Sequence, residues 1–177
     1  MSARIRQREL QPGSVRIEHK GFSFLITGRL MDHTMHSYVN ELQKNNVKVL
    51  VGVCEPSFQI GSLDNEGIKI YNLAYSDGTP PPGPIVEEWF QVINKHFIED
   101  PNCCVAVHCV SGLGRAPVMV AMSLIELGMK YEDAVELIRQ KKRGAFNKKQ
   151  LRFLEKYRPK SRLNITVENQ SRCCCVQ

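Results

Sequence analysis

The sequence has no apolar run approaching the ~18–20 residues needed to span a bilayer. Its opening residues, Met-Ser-Ala-Arg-Ile-Arg, lack an apolar stretch, so no secretory signal is expected; Ser2 in place of glycine excludes myristoylation. Metal-ligand spacing is also missing. The seven cysteines stand at 54, 103, 104, 109, 173, 174 and 175, and no Cys-x2-Cys pair faces another pair or a His-x3-His. His33 and His36 share a helix face without a third ligand and read as surface residues. No metal and no cofactor are expected. An odd cysteine count, with three packed at the C-terminus, is not a secreted disulfide framework, so the sequons at Asn164 and Asn169 are idle in a chain expected on the cytosolic side. Internal repeats and interdomain linkers are absent. What remains is one globular unit over 1–162, with a tail at 163–177, in a chain of 177 residues that is 42% hydrophobic.

Charge, by contrast, is present and unevenly spread. The net charge is +6, yet residues 139–162 hold eleven of the 24 Lys/Arg against a single acid, Glu155. The basic excess is thus local, and no aromatic interleaving or motif turns it into a nucleic-acid surface.

Hydrophobic periodicity predicts alternating strands and helices. Val15–His19 and Phe22–Ile26 read as two strands joined by a Lys20-Gly21 turn. Asp32 is placed to cap a helix whose Met35, Tyr38, Val39 and Leu42 share a face. Val47–Val53 is a nearly continuous apolar strand broken only by Lys48, and Ile68–Leu73 is a further strand. The run Asp77-Gly78-Thr79-Pro80-Pro81-Pro82-Gly83 is a stiff loop, after which Ile85, Trp89, Val92, Ile93 and His96 line a long helix. Cys104–His108 reads as a short central strand. Helices follow at 115–127, 130–142 and 147–157, the last opening with Asn147 and Gln150 as a capping box. The class is α/β, with a central, mainly parallel sheet flanked by helices.

The chemistry concentrates in Val107-His108-Cys109-Val110-Ser111-Gly112-Leu113-Gly114-Arg115-Ala116-Pro117. Five residues separate Cys109 from Arg115, with a strand before and a helix after. Gly112 and Gly114 let the backbone turn so that successive N–H groups point inward, and the following helix aims its positive end at the same place. Val110, Ser111, Gly112, Leu113, Gly114 and Arg115 thereby form an oxyanion cradle, with a thiol at its floor that the surrounding dipoles favour as the anion. Arg115 closes it with a planar fork that holds two phosphate oxygens. His108 fits an orienting role better than a proton-transfer role. A thiolate attacking a phosphate ester needs an acid for the departing oxygen, and Asp77, on the proline-stiffened loop, is the candidate; its Asp-Gly setting also suits a turn-capping role.

His108-Cys109-x5-Arg115, with an acid upstream, resembles the signature of the dual-specificity branch of the protein tyrosine phosphatase superfamily. Residues 109–118, Gly-Met-Lys-Tyr-Glu-Asp-Ala-Val (128–135), Arg-Gly-Ala-Phe-Asn (143–147) and Leu-Glu-Lys-Tyr-Arg-Pro-Lys (154–160) resemble the phosphatases of regenerating liver, the type IVA family. That resemblance implies a protein tyrosine phosphatase fold, Cys109 as nucleophile, Arg115 as phosphate clamp and Asp77 as general acid. It also implies a reversible disulfide between Cys54 and Cys109. Most members of the superfamily place Ser or Thr where this chain has Ala116. Four further departures stand out: Ser111 for alanine, Gly52 for arginine, Leu73-Ala74-Tyr75 for Trp-Pro-Phe, and Ser76 for an acid. The last two fall in the acid loop and bear on its closure.

Cys174-Cys175-Val176-Gln177 is a Cys-a-a-X box whose terminal Gln favours farnesylation of Cys174, with Cys173 as a possible acylation site. One isoprenoid holds a membrane only marginally, and the basic stretch supplies a second signal toward an anionic surface. The expected location is the cytoplasmic face of the plasma membrane and early endosomes, or the cytosol or nucleus without the lipid. Two functions follow. One is hydrolysis of phosphotyrosine protein, with phosphoinositide as the lesser substrate. The other is a binding module whose cradle seats an acidic side chain, for which the resemblance implies the cyclin-M magnesium transport mediators as partners and a homo-oligomer (trimer) as an assembly.

Overall fold

A computed structural model describes residues 13–28, 35–55, 63 and 66–163. Asp32, His33, Cys173, Cys174 and all of 164–177 lie outside the described residues, as do the capping and lipidation readings that rest on them.

Strands β1 (Val15–His19), β2 (Phe22–Thr27), β3 (Val47–Gly52), β4 (Lys69–Asn72) and β5 (Cys104–His108) form one sheet in the order β1-β2-β5-β3-β4. The β1–β2 hairpin is antiparallel and every other pairing is parallel. Lys20 and Gly21 both take positive φ (47° and 81°), the two-residue turn whose twist matches a hairpin. β5 sits at the centre because both of its faces are apolar. Val105 and Val107 join one core cluster, and Cys104 and Ala106 join the other. In β3 the register against β5 shifts between Val47 and Val49. Lys48, the one charge in that strand, falls at the irregularity and stays exposed.

Helix α1 (Met35–Lys44) covers one face through Tyr38, Val39 and Leu42. The other face carries α2 (Gly83–Glu99), α3 (Arg115–Glu126), α4 (Tyr131–Lys141) and α5 (Lys148–Lys156). Every residue of α3 is buried, as a helix sandwiched between sheet and outer helices must be. Trp89 is fully buried, and its indole N–H donates to Ser123 Oγ at 2.9 Å. The predicted capping box is present in both directions: Asn147 Oδ1 accepts from Gln150 N, and Gln150 Oε1 accepts from Asn147 N.

The last described segment is fastened by a buried carboxylate. Glu126 accepts hydrogen bonds from Tyr157 Oη (2.7 Å), the Lys160 and Arg162 backbone N–H groups and Arg162 Nη1 (2.9 Å). Burial alone would raise its pKa, but these donors overcome that and hold it below the ordinary range. Arg162 also bonds Glu87 and lies 5.5 Å over the Phe90 ring.

Candidate active site

In open α/β sheets the carboxyl ends of the strands present the site, and here β5 ends at His108 and α3 begins at Arg115. The intervening loop, 109–114, turns through Gly112 at φ 67°. Its glycines are fixed by crowding as much as by conformation. A Cβ on Gly112 would lie 2.9 Å from the Thr27 carbonyl oxygen and 3.0 Å from Lys142 Nζ, and one on Gly114 would lie 3.1 Å from Gln150 Nε2. Cys109 is 2% exposed at the floor, whereas Val110 is 49% exposed at the rim. Ser111 Oγ accepts the Leu113 N–H at 3.2 Å, so the departure from alanine adds a bond within the loop. Phe146 N–H donates to the Leu113 carbonyl at 2.8 Å, joining the loop to the approach of α5.

Arg115 is 7% exposed and is held from the acid loop. Its Nη1 donates to the Tyr75 carbonyl at 3.0 Å, while the Tyr75 hydroxyl donates to the Arg115 carbonyl at 3.1 Å. The Tyr75 phenol is pushed above its ordinary range, first by burial and then by negative charge at Cys109, with Arg115 opposing. Tyr75 therefore lies within electrostatic reach of both groups. The Leu73-Ala74-Tyr75 departure thus contributes a hydroxyl that ties the acid loop to the cradle.

Asp77 Oδ1 lies 3.3 Å from Arg115 Nε as an ion pair. That Nε is buried and makes no hydrogen bond among the described residues, so the pair is electrostatic contact rather than a fork. Asp77 Oδ1 also accepts the Gly78 N–H at 3.0 Å, and Asn147 Nδ2 donates to the Gly78 carbonyl at 3.1 Å. The turn-capping reading of Asp77 is thus present in the Gly78 contact, and the same carboxylate stands beside the loop arginine. The carboxylate is 80% exposed, open to an incoming substrate.

His108 is buried, and burial pushes its imidazole down to about 4, so it is neutral at physiological pH. Its ring is flanked by two residues at the end of β3. A Cβ on Gly52 would come within 2.7 Å of His108 Nε2, and Cys54 Sγ lies 3.9 Å from His108 Nδ1. The Gly52 departure is thereby accounted for: this His108 position excludes a side chain there.

Sequence alone left Cys54 and Cys109 unrelated in space. The sheet relates them, since Gly52 pairs with His108 and Val53 N–H donates to the His108 carbonyl at 3.0 Å. Neighbouring strands lie ~4.8 Å apart, so both cysteines leave the carboxyl ends of adjacent strands together. Both are present as thiols.

Sequence reading missed Tyr75 as a lock, Gln150 as a brace on Gly114, and Lys142. The last had a signal: Ala134, Ile138 and Lys142 recur at i, i+4, i+8 on the buried face of α4 and its C-terminal continuation.

A family model described as "Polymorphic toxin system, DSP-PTPase phosphatase" matches residues 28–129. The chain is 54% identical over 173 residues to the PRL-1 phosphatase of Drosophila melanogaster, covering 98% of each. It is 50% identical over 167 residues to protein tyrosine phosphatase type IVA 2 of Mus musculus, covering 94% of this chain and 99% of the other. Among solved structures, a putative protein tyrosine phosphatase from Leishmania major superposes with a TM-score of 0.70 at 35% identity, over 77% of this chain and 88% of that one. PTPMT1 in complex with PI(5)P, at 19% identity and a TM-score of 0.62 over 77% and 89%, shares the fold.

Proposed function

The chain belongs to the phosphatases of regenerating liver, the protein tyrosine phosphatase type IVA family, and is a protein tyrosine phosphatase; from that premise we propose that it works through a phosphocysteine on Cys109. Arg115 and the 110–114 backbone hold the phosphate oxygens. The Cys109 thiolate attacks phosphorus, and the departing tyrosyl oxygen takes the proton from Asp77. Water then attacks the phosphocysteine, gives a proton to Asp77 and releases phosphate and the thiolate. The observation that carries this reading is the arginine at the cradle held between Tyr75 and Asp77. Acid quenching during turnover of a ³²P-labelled phosphotyrosine peptide should leave label on Cys109, and none in Cys109→Ser. Turnover with label on another side chain overturns it. The bound PI(5)P of PTPMT1 keeps phosphoinositide as the second substrate to assay.

The binding-module reading has its own support. Arg115 already faces a carboxylate, that of Asp77, at 3.3 Å, which is the contact an acidic side chain of a cyclin-M mediator would make.

Oxidation is proposed as the control on both activities. Peroxide converts the Cys109 thiolate to a sulfenic acid, and Cys54 displaces water from it to form the disulfide. The shared strand ends support the pairing. Mild peroxide should lower the intact mass by two hydrogens and silence the enzyme until thiol is added. Sulfinic Cys109 with Cys54 still a thiol would falsify the pairing.

Membrane attachment through farnesylated Cys174 is also proposed. Nine of the eleven cations in 139–162 are exposed; Lys142 is buried and Arg162 half-buried in the Glu126 clamp. At ~1 kcal/mol for each cation near an anionic leaflet, the exposed ones suffice as a second signal. Cys174→Ser should move the full-length protein from membranes to cytosol on fractionation; continued sedimentation with membranes would end the lipid account.

A further inference from the structure

One cation of the basic stretch is turned inward. Lys142 is 5% exposed, directly after α4, and a lysine so buried is unusual unless something holds its charge. Its Nζ donates to the Gly13 carbonyl at 3.4 Å, a long bond that uses one of three donors. The same Nζ lies 3.0 Å from the position a Cβ on Gly112 would take, with the Thr27 carbonyl oxygen on that side as well. The ammonium therefore stands against the cradle from outside, at the glycine where the loop turns through positive φ.

Two titratable groups act on it: Cys109 at the floor of the cradle and Glu41 on α1. Burial, the largest influence, lowers the Lys142 pKa below its ordinary value, and negative charge at Cys109 and Glu41 works against that lowering. Such coupling is reciprocal: if charge on the sulfur favours charge on Lys142, then charge on Lys142 favours charge on the sulfur by the same factor. Arg115 supplies directional contacts at the mouth of the site. Lys142, buried behind Gly112, would act on the site through its field.

We infer that Lys142 is a positioning residue for the reaction, a fixed positive charge behind Gly112 that sustains negative charge on Cys109 and on a doubly charged oxyanion in the cradle. The inference rests on the phosphatase reading of the cradle, but the two fail separately. A doubly charged oxyanion gains about twice as much from such a field as a carboxylate does. Lys142 thus biases the cradle toward phosphate over an acidic side chain.

The test uses full-length wild type, Lys142→Met and Lys142→Arg, with melting curves to establish that each is folded. Two readouts need no turnover: iodoacetamide alkylation of Cys109 as a function of pH, and protection of Cys109 by orthovanadate. Lys142→Met should move the alkylation profile to higher pH by about one unit and weaken vanadate protection about tenfold, while Lys142→Arg stays close to wild type. A folded Lys142→Met with the wild-type profile and wild-type protection overturns the inference. Should Lys142→Met not fold, Lys142→Gln, which removes the charge and keeps a donor for the Gly13 carbonyl, takes its place in both readouts, and a wild-type profile with wild-type protection again overturns the inference. Wild-type protein that shows the Lys142 dependence yet turns over no phosphopeptide defeats the phosphatase reading and leaves the role of Lys142 standing.

Discussion

Asp77→Asn is expected to lower kcat on a phosphotyrosine peptide by about 10²–10⁴, the usual range for a lost general acid. The loss should depend on the leaving group. A nitrophenyl phosphate departs without needing a proton, so the same variant should retain far more activity on it. Asparagine also keeps an oxygen for the Gly78 N–H, so the turn survives, and a side chain 80% exposed contributes little to the core. The melting temperature should therefore stay within a degree or two of wild type. Loss of equal size on both substrates would remove Asp77 from proton transfer and leave it a role in holding Arg115. In cells the variant separates the two activities. If it keeps the phenotype of wild type and binds a cyclin-M intracellular domain, catalysis is not the principal task.

Ala116→Ser is expected to raise steady-state turnover roughly ten- to a hundredfold. Ala116 is fully buried in the first turn of α3, directly after the loop arginine. In the proposed mechanism, water attack on the phosphocysteine returns charge to the Cys109 sulfur, and a hydroxyl at 116 would donate to it. A hydrogen bond to a charged group is worth ~1.5–3 kcal/mol, and ~1.36 kcal/mol is a decade in rate. Wild type should consequently accumulate phosphoenzyme and show a burst of tyrosine-peptide product, with the burst rate barely altered by the substitution. A wild type without a burst, together with an unchanged variant, would move the slow step to the acid loop, where the Tyr75–Arg115 bonds must yield for the loop to open.

The cradle was legible in the sequence because its determinants are local. A strand of alternating Val and small residues, two glycines, an arginine at fixed spacing and a fully apolar helix leave one way to turn the chain. The β5 boundaries agree residue for residue, and the capping box at Asn147 and Gln150 is also local and also present. What sequence could not supply was contact between distant segments. Tyr75 reads as an aromatic in a loop until its hydroxyl is seen on the Arg115 carbonyl. Gly52 reads as a missing arginine until the His108 ring occupies the space. Lys142 was counted among surface cations because charge runs are usually solvated, and only packing against Gly112 separates it from its neighbours. The relation of Cys54 to Cys109 needed the strand order, which depends on pairings far apart in the chain.

The Glu126 clamp turns the end of the domain into a mooring point. Because Tyr157, Lys160 and Arg162 are all held to one buried carboxylate, the chain leaves the body at a fixed place near Leu163. Cys174 lies eleven residues further on. Eleven residues can span at most ~40 Å. With the lipid at its end, the cradle would patrol a shell hardly deeper than the protein itself. Substrates would be met at a local concentration set by tether length rather than by diffusion from the cytosol, in the millimolar range typical of short linkers. Were its turnover slow, the enzyme would lose little under that arrangement, since its targets would never be far away. Lengthening the leash, with the clamp intact, would dilute the site without touching its chemistry.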